Sequence, residues 1–321
     1  MTEVTPVVSV VTITYNHEEF VAEALQSFVD QEVDFPIEVI VADDASTDRT
    51  PEIIQLYTDR YPQLFRPVLR SKNVGAFSNL IDALSASRGT FIALCEGDDY
   101  WTDPHKLAKQ VAYLREHPDT SVCFHPVRVI WTDGSAPDSI YPPTHRRRNL
   151  TVDALFKWNF IQTNSAMYRR AESYEGIPPD AMPLDWILHT MHAVRGEVAM
   201  LADTMSVYRR HPYGMWYVKD TNRVKFWQQH GARYVAMLDA MFGLAADNRK
   251  RQNAVLAVSR GALGQLASVP GPDGRALLLD TTAAYPRLYG DSLIQRLAVK
   301  MAVQVQRAST AVAQIALARK D

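Results

Sequence analysis

The stretch that decides the fold is Leu94-Cys95-Glu96-Gly97-Asp98-Asp99-Tyr100-Trp101, which continues the apolar run Thr90-Phe91-Ile92-Ala93-Leu94. An apolar run of this length with no polar alternation reads as a strand buried on both faces. Glu96, Asp98 and Asp99 then crowd three carboxylates into four residues. Open α/β sheets bind ligands outside the carboxyl ends of their strands, which is where this cluster falls. Like charges held so close need a counter-charge, and a divalent cation carrying a diphosphate supplies one. An isolated pair of aspartates would read more simply as an acidic turn entering a helix, so the surroundings decide.

Upstream, Val7 to Thr14 is a β-branched run ended by Tyr15-Asn16-His17, and Glu18 to Gln31 shows helical spacing through Phe20, Val21, Leu25 and Phe28. Glu38-Val39-Ile40-Val41-Ala42 is a second strand that ends in Asp43-Asp44-Ala45-Ser46-Thr47-Asp48. Thr50 with Pro51 reads as a helix N-cap followed by proline at the first helical position, with the helix running to about Arg60. Phe65 to Leu69 is a third strand, Ser71 to Gly75 a loop and Phe77 to Ser87 a helix. Downstream come a helix from Lys106 to Glu116 and a strand over Ser121 to Trp131, then a polar loop from Thr132 to Asn149 carrying Arg146-Arg147-Arg148. Asp185 to Ala193 reads as a short helix, Val198 to Tyr208 as a strand-rich return, and the chain beyond Asn222 as helical with a break at Val269 to Gly274. Strands alternating with helices predict an α/β fold with a doubly wound, mostly parallel sheet and a C-terminal helical extension. The expected boundary lies at residue 215, with a nucleotide-sugar-binding catalytic domain over 1–215 and the extension over 216–321.

With 321 residues the chain can bury a large core. A formal net charge of −2 gives no global pull toward nucleic acid. Cys95 and Cys123 lack metal-ligand spacing and lie in apolar runs, so they read as buried thiols of a reducing compartment. The N-terminus has no basic region followed by an apolar stretch, and no run of about 18 apolar residues occurs. The expected location is therefore cytoplasmic, with a peripheral position at the inner membrane face as an extension of that expectation.

Two sets of residues carry chemistry. In a doubly wound sheet the strand ends Thr14-Tyr15-Asn16 and Asp43-Asp44 open on the same edge as the acidic cluster. Asp44 can accept the N3–H of uracil or thymine, which cytosine lacks, and Tyr15 can stack on the base. The alternative is a turn and capping cluster. No Gly-x-Gly-x-x-Gly follows the first strand and there is no Gly-Lys-Ser/Thr loop, so a diphosphate would be neutralised by a metal on Asp98 or Asp99 rather than by a backbone cradle.

Taken in order, Val8-Ser9-Val10-Val11-Thr12-Ile13-Thr14-Tyr15-Asn16, Glu38 to Asp48, Asn73-Val74-Gly75 and Glu96-Gly97-Asp98-Asp99 resemble the family 2 glycosyltransferases of the GT-A fold. The resemblance covers roughly residues 6 to 215. It implies an inverting transferase moving a sugar from a nucleotide-diphosphate donor, UDP favoured and dTDP sharing the same argument, to a hydroxyl in cell-surface glycan or glycolipid assembly. It implies a divalent cation, Mn2+ or Mg2+, and a saccharide or lipid-linked saccharide as acceptor. Residue by residue, it places Thr14, Tyr15 and Asp44 at the nucleobase and Asn73 and Asn79 in the segment over the nucleotide. Glu96 and Asp98 take the first and third places of an Asp-x-Asp motif, near the ribose and the metal. Glutamate in the first place is a departure from the family pattern. The resemblance also makes Asp99 a second candidate metal ligand and His211 in Tyr208-Arg209-Arg210-His211 a third, with Arg209 or Arg210 able to offset leaving-group charge.

Pro183-Leu184-Asp185-Trp186 resembles the family's acidic position at the start of a helix facing the sugar. Asp185 is accordingly the expected base, which takes the acceptor proton as the sugar carbon is attacked. Two rival classes stay beside this one: a sugar nucleotidyltransferase, which would need a glycine-rich loop, and a nucleotide-sugar-binding protein without catalysis. A third reading sets Asp185, His189 and His192 on one helix face as a zinc set. Asp291 to Lys320 reads as an amphipathic helix, suited to self-association or to an anionic membrane surface.

Overall fold

The computed structural model describes residues 5–179, 181–214, 216–217 and 222–290. Its contacts divide the chain into two compact units, Met1–Glu175 with Leu188–His211 and Gly176–Ile187 with Pro212–Asp321.

The first unit is built on β1 (Val8–Thr14), β2 (Ile37–Asp43), β3 (Phe65–Leu69) and β4 (Phe91–Leu94), which pair in parallel in the spatial order β4-β1-β2-β3. The sheet is extended beyond β4 by β6 (Thr120–Phe124), β9 (Met167–Arg169) and β10 (Glu197–Met200), giving seven strands in the order β10-β6-β9-β4-β1-β2-β3. Only β9 runs against its neighbours. Parallel strands need crossovers, supplied here by α1 (Val21–Val29), α2 (Thr50–Arg60), α3 (Gly75–Ala86) and α4 (Lys106–Glu116). Every residue of β4 is buried, as a central strand covered on both faces requires. Val10, Leu25, Phe28, Val39, Val41 and Phe91 belong to the resulting core.

A second, four-stranded sheet in the same unit has the order β5-β11-β7-β8, from β5 (Tyr100–Trp101), β7 (Val127–Trp131), β8 (Ser139–Tyr141) and β11 (Ser206–Arg210). The single strand expected over Ser121 to Trp131 is therefore two strands, β6 and β7, lying in different sheets. His125-Pro126 separates them; Pro126 has no N–H for a central ladder. β6 is buried along its whole length, whereas in β7 the buried residues are Val127 and Val129 with Arg128 exposed between them.

Thr50, expected as an N-cap, is the first residue of α2. Asp48 Oδ1 caps it instead, accepting from Thr50 N at 2.9 Å, which leaves Thr50 Oγ1 to accept from His17 N at 2.9 Å. Both cysteines are free and buried.

A helix, α6 (Leu184–Ala193), begins in the second unit and ends in the first, following the short α5 (Val152–Leu155). The remaining described helices of the second unit are α7 (Arg223–Leu244), α8 (Arg249–Ala267), α9 (Gly271–Ala284) and the short α10 (Pro286–Tyr289). Asn222 and Asn248 cap α7 and α8 through their side-chain oxygens. Gly231 lets α7 and α8 close: a Cβ there would lie 2.4 Å from Leu266 Cδ2. The expected break at 269–274 is real but short, because α9 starts at Gly271. The amphipathic stretch Asp291 to Lys320 lies outside the described residues. Among the described residues no helix is long and apolar enough to cross a membrane.

Candidate active site

Parallel pairing in register brings the ends of β1, β2 and β4 to one edge, and the loops there are bonded to one another. Asp44 N donates to Thr14 O at 3.0 Å and Gly97 N to Ile13 O at 3.0 Å. Asn16 and Ala45 both take the left-handed conformation, with φ of 55° and 59°. Alanine gains nothing locally from that conformation, so surrounding bonds must hold it. They do: Asn16 Oδ1 accepts from Thr47 N at 2.8 Å, Asn16 N donates to Ser46 Oγ at 2.8 Å, and Asp43 Oδ2 accepts from Ser46 N at 2.9 Å.

Asp44 is 3% exposed, and its two oxygens accept from Val74 N at 2.7 Å and Gly75 N at 2.9 Å. The carboxylate thus anchors the loop entering α3, and each oxygen keeps further acceptor capacity. Asn73 Oδ1 also accepts from Gly75 N, at 3.1 Å, and Asn73 is exposed. Tyr15 beside them is 46% exposed, an open aromatic face. Asn79 departs from its expected place over the nucleotide. It is 1% exposed; its Nδ2 donates to Ala42 O at 2.8 Å and its Oδ1 accepts from Arg70 Nε at 2.8 Å. Its carboxamide braces α3 against β2 instead of meeting a ligand.

The acidic loop is the least satisfied part of this edge. Ligand atoms of Glu96, Asp98 and Asp99 all lie within 4.8 Å of one another. Asp98 Oδ2 pairs with His211 Nε2 at 3.0 Å and faces His17 Nε2 at 3.9 Å. Burial pushes the Asp98 carboxyl up, but His17 and His211 together outweigh it and hold it below its ordinary value. Asp99 goes the other way: burial and then the Asp98 charge push it well above the ordinary carboxylate range. Asp99 Oδ1 accepts from Arg209 N at 2.8 Å, while the buried oxygens Asp98 Oδ1 and Asp99 Oδ2 have no hydrogen-bond partner among the described residues. Buried acceptors without donors cost folding energy. Two such atoms in adjacent carboxylates, set beside an imidazole, fit a divalent cation with oxygen and nitrogen ligands.

Gly97 makes the crowding sterically feasible. A Cβ there would stand 2.9 Å from Thr14 Cβ and Oγ1, and 3.1 Å from His17 Nδ1.

Arg209 does not point out to offset a leaving group. It is buried under the loop, where Nη1 donates to Asp98 O at 2.8 Å, Nη2 pairs with Glu23, and the guanidinium lies 4.3 Å from the Tyr100 ring centroid. Its charge props the acidic loop from below. His17 carried no signal beyond its place after the first strand, and the pairing of β1 with β4 is what brings it to Asp98. Asp185 lies in the first turn of α6, where its Oδ1 accepts from Trp186 N at 2.8 Å. The zinc face expected as a rival is not assembled: His189 and His192 are both buried, with His189 bonded to the Tyr168 hydroxyl and His192 stacked on the Tyr168 ring at 4.1 Å.

The pattern of glycosyl transferase family 2 matches residues 9–214, most of the chain and all of this edge. The chain belongs to that family. It is 56% identical over 288 residues to the uncharacterized protein Rv1520 of Mycobacterium tuberculosis, covering 90% of this chain and 83% of that one. It is 30% identical over 173 residues to the putative teichuronic acid biosynthesis glycosyltransferase TuaG of Bacillus subtilis, covering 54% of this chain and 66% of TuaG. Among solved structures, the mannosyltransferase PcManGT of Pyrobaculum calidifontis with GDP-Man and Mn2+ shares the fold, with a TM-score of 0.52, 22% identity, and coverage of 96% and 87%. TarS of S. aureus with UDP-GlcNAc gives a TM-score of 0.52 at 19% identity, with coverage of 89% and 93%. The chain is thus a glycosyltransferase with a GT-A fold and a helical C-terminal part.

Proposed function

We propose that this glycosyltransferase moves a sugar from a nucleoside diphosphate donor to a hydroxyl, with a divalent cation and with inversion at the anomeric carbon. The observation that carries the metal dependence is the pair of orphaned, buried oxygens on Asp98 and Asp99 beside His211. Asp98, Asp99 and His211 would hold the cation, Mn2+ or Mg2+, which when bound neutralises diphosphate charge and stabilises the leaving group. Glu96 would face the ribose. Asp44, already oriented by Val74 and Gly75, would accept the imino N–H of the base, and Tyr15 would stack on it. That chemistry favours uracil, admits thymine and admits guanine through its N1–H.

In the transfer the anomeric carbon–oxygen bond to the diphosphate breaks as a bond to the acceptor oxygen forms. Asp185 takes the hydroxyl proton. Its assignment is supported by its motif and its place at a helix start, where the positive end of the dipole holds the anion. Residues 1–215 would form the catalytic domain and 216–321 a helical extension. A saccharide or lipid-linked saccharide as acceptor, in cell-surface glycan assembly, extends the reading, in keeping with what the name of TuaG says of that protein.

Thermal shift with UDP, dTDP, GDP and CDP, each with and without Mn2+, tests donor and metal together. Stabilisation by UDP that requires Mn2+ and is absent with CDP is expected. Equal stabilisation with and without metal would remove the metal from the reading. Asp185→Asn should bind donor normally and lose turnover, and near wild-type turnover would assign the base elsewhere.

A further inference from the structure

We infer that the helical extension holds the base in place: Tyr234 of α7 is a positioning residue that fixes Asp185 through Trp186. The inference rests on the reading of Asp185 as the base. Asp185 belongs to the same compact unit as α7. Three contacts tie the start of α6 to that helix. Met182 N donates to Arg233 O at 3.2 Å, a backbone bond from the approach to α6 into the middle of α7. The buried Trp186 ring meets the Tyr234 ring edge-on, at 6.2 Å and 67°. The buried Trp227 ring backs Tyr234 from its other side along the helix, at 5.1 Å and 58°. Ring pairs at these separations and tilts favour defined orientations.

Trp227 and Tyr234 stand two turns apart on one face of α7. Gly231 between them leaves room for the Trp227 ring, since a Cβ there would lie 3.2 Å from Trp227 Cε3. Trp186 passes the contact on to the carboxylate. Its backbone N donates to Asp185 Oδ1 at 2.8 Å, so the residue packed on Tyr234 also orients the base. Burial, and then the Asp185 charge, push the Tyr234 hydroxyl well above its ordinary range. The phenol near the base is therefore neutral at pH 7, and the carboxylate keeps the negative charge. The family pattern ends at residue 214, so this support comes from beyond it. Placement of this kind matters to rate: a shift of about 1 Å in a reacting group can cost roughly a hundredfold.

Tyr234→Ala and Tyr234→Phe in the full chain, beside Asp185→Asn, are the test. Two quantities are read: hydrogen exchange at the Met182 and Trp186 amides, and UDP release from UDP-GlcNAc and UDP-glucose in Mn2+ with water as the acceptor. In Tyr234→Ala both amides should exchange at least about tenfold faster, and kcat should fall about tenfold to a hundredfold with KM and UDP affinity unchanged. Tyr234→Phe keeps the ring and should restore both. Unchanged exchange or unchanged kcat in a folded Tyr234→Ala, or a loss of UDP affinity that matches the loss of kcat, would overturn the inference. Where the wild type releases UDP from neither donor, the exchange result decides. Asp185→Asn separates the two levels. If it loses turnover while Tyr234→Ala keeps it, only the Tyr234 assignment fails; if Asp185→Asn keeps full turnover, the base itself lies elsewhere. Should Tyr234→Ala not fold, Tyr234→Leu takes its place. Should neither fold, the wild-type Met182 amide decides: protection alongside the amides of α7 supports the docking, and free exchange overturns it.

Discussion

The two edges of the seven-stranded sheet treat buried carboxylates in opposite ways. At the amino edge, Glu38 accepts from Ser9 Oγ at 2.6 Å, from Arg88 N at 3.0 Å and from the Arg88 guanidinium at 2.7 Å. Burial pushes its pKa up, yet Arg88 and Ser9 outweigh that and hold it below its ordinary value. At the carboxyl edge Asp98 and Asp99 stand side by side, each with one buried oxygen that has no partner among the described residues. The same residue class is fully hydrogen-bonded at one end and keeps one unpartnered oxygen on each carboxylate at the other. Buried acceptors left without a donor cost stability, and the cation proposed above would supply the missing partner.

Four substitutions would break or sharpen that contrast. Asp98→Asn should remove the transferase activity by at least about a hundredfold while leaving the far-UV circular dichroism unchanged; an active variant would mean the acidic loop is only a turn. Gly97→Ala pushes the loop away from Thr14 and His17, and steady-state kinetics should show roughly tenfold lower kcat/KM with a stability loss of about 1–3 kcal/mol. Glu38→Gln should give the reverse profile. Urea unfolding at pH 7 should show a loss of about 2 kcal/mol, moderated by the partial exposure of Arg88, with activity per folded molecule unchanged. The pH dependence has a definite sign. A folded pKa below the unfolded one gives stability that is present above about pH 4.3 and is lost as pH falls through the folded value, so the wild type should lose this advantage over Glu38→Gln in acid. The smallest effect expected is a gain. Asp99→Asn relieves a buried carboxylate whose ionisation burial and Asp98 oppose, and the metal-free melting temperature should rise by the equivalent of about 1 kcal/mol while Mn2+ affinity falls.

Much of this was legible in the sequence for identifiable reasons. The β-branched runs at Val8–Thr14 and Ile37–Asp43 are too apolar to lie anywhere but a central parallel sheet, and each ends in polar residues that must then share one edge. The sequence alone therefore groups Glu96, Asp98 and Asp99 with Thr14, Tyr15 and Asp44. What the sequence hid was how each side chain is occupied. Asn79 and Arg209 carry groups suited to a nucleotide, yet Ala42, Arg70, Glu23 and Asp98 bind them within the protein. Nor does spacing along the chain show that β7 leaves the sheet containing β6, although the proline at 126 is a signal of a break. His17 was invisible because its meaning depends on Asp98, 81 positions later.

The most direct test of the central claim, that the carboxyl edge is an incomplete coordination shell, is calorimetric titration of UDP into the protein with Mn2+ and then with chelator. Binding in the wild type and in Glu38→Gln should require Mn2+, and Asp98→Asn should lose that requirement along with the affinity. Equal UDP affinity in Mn2+ and in chelator for the wild type would contradict it.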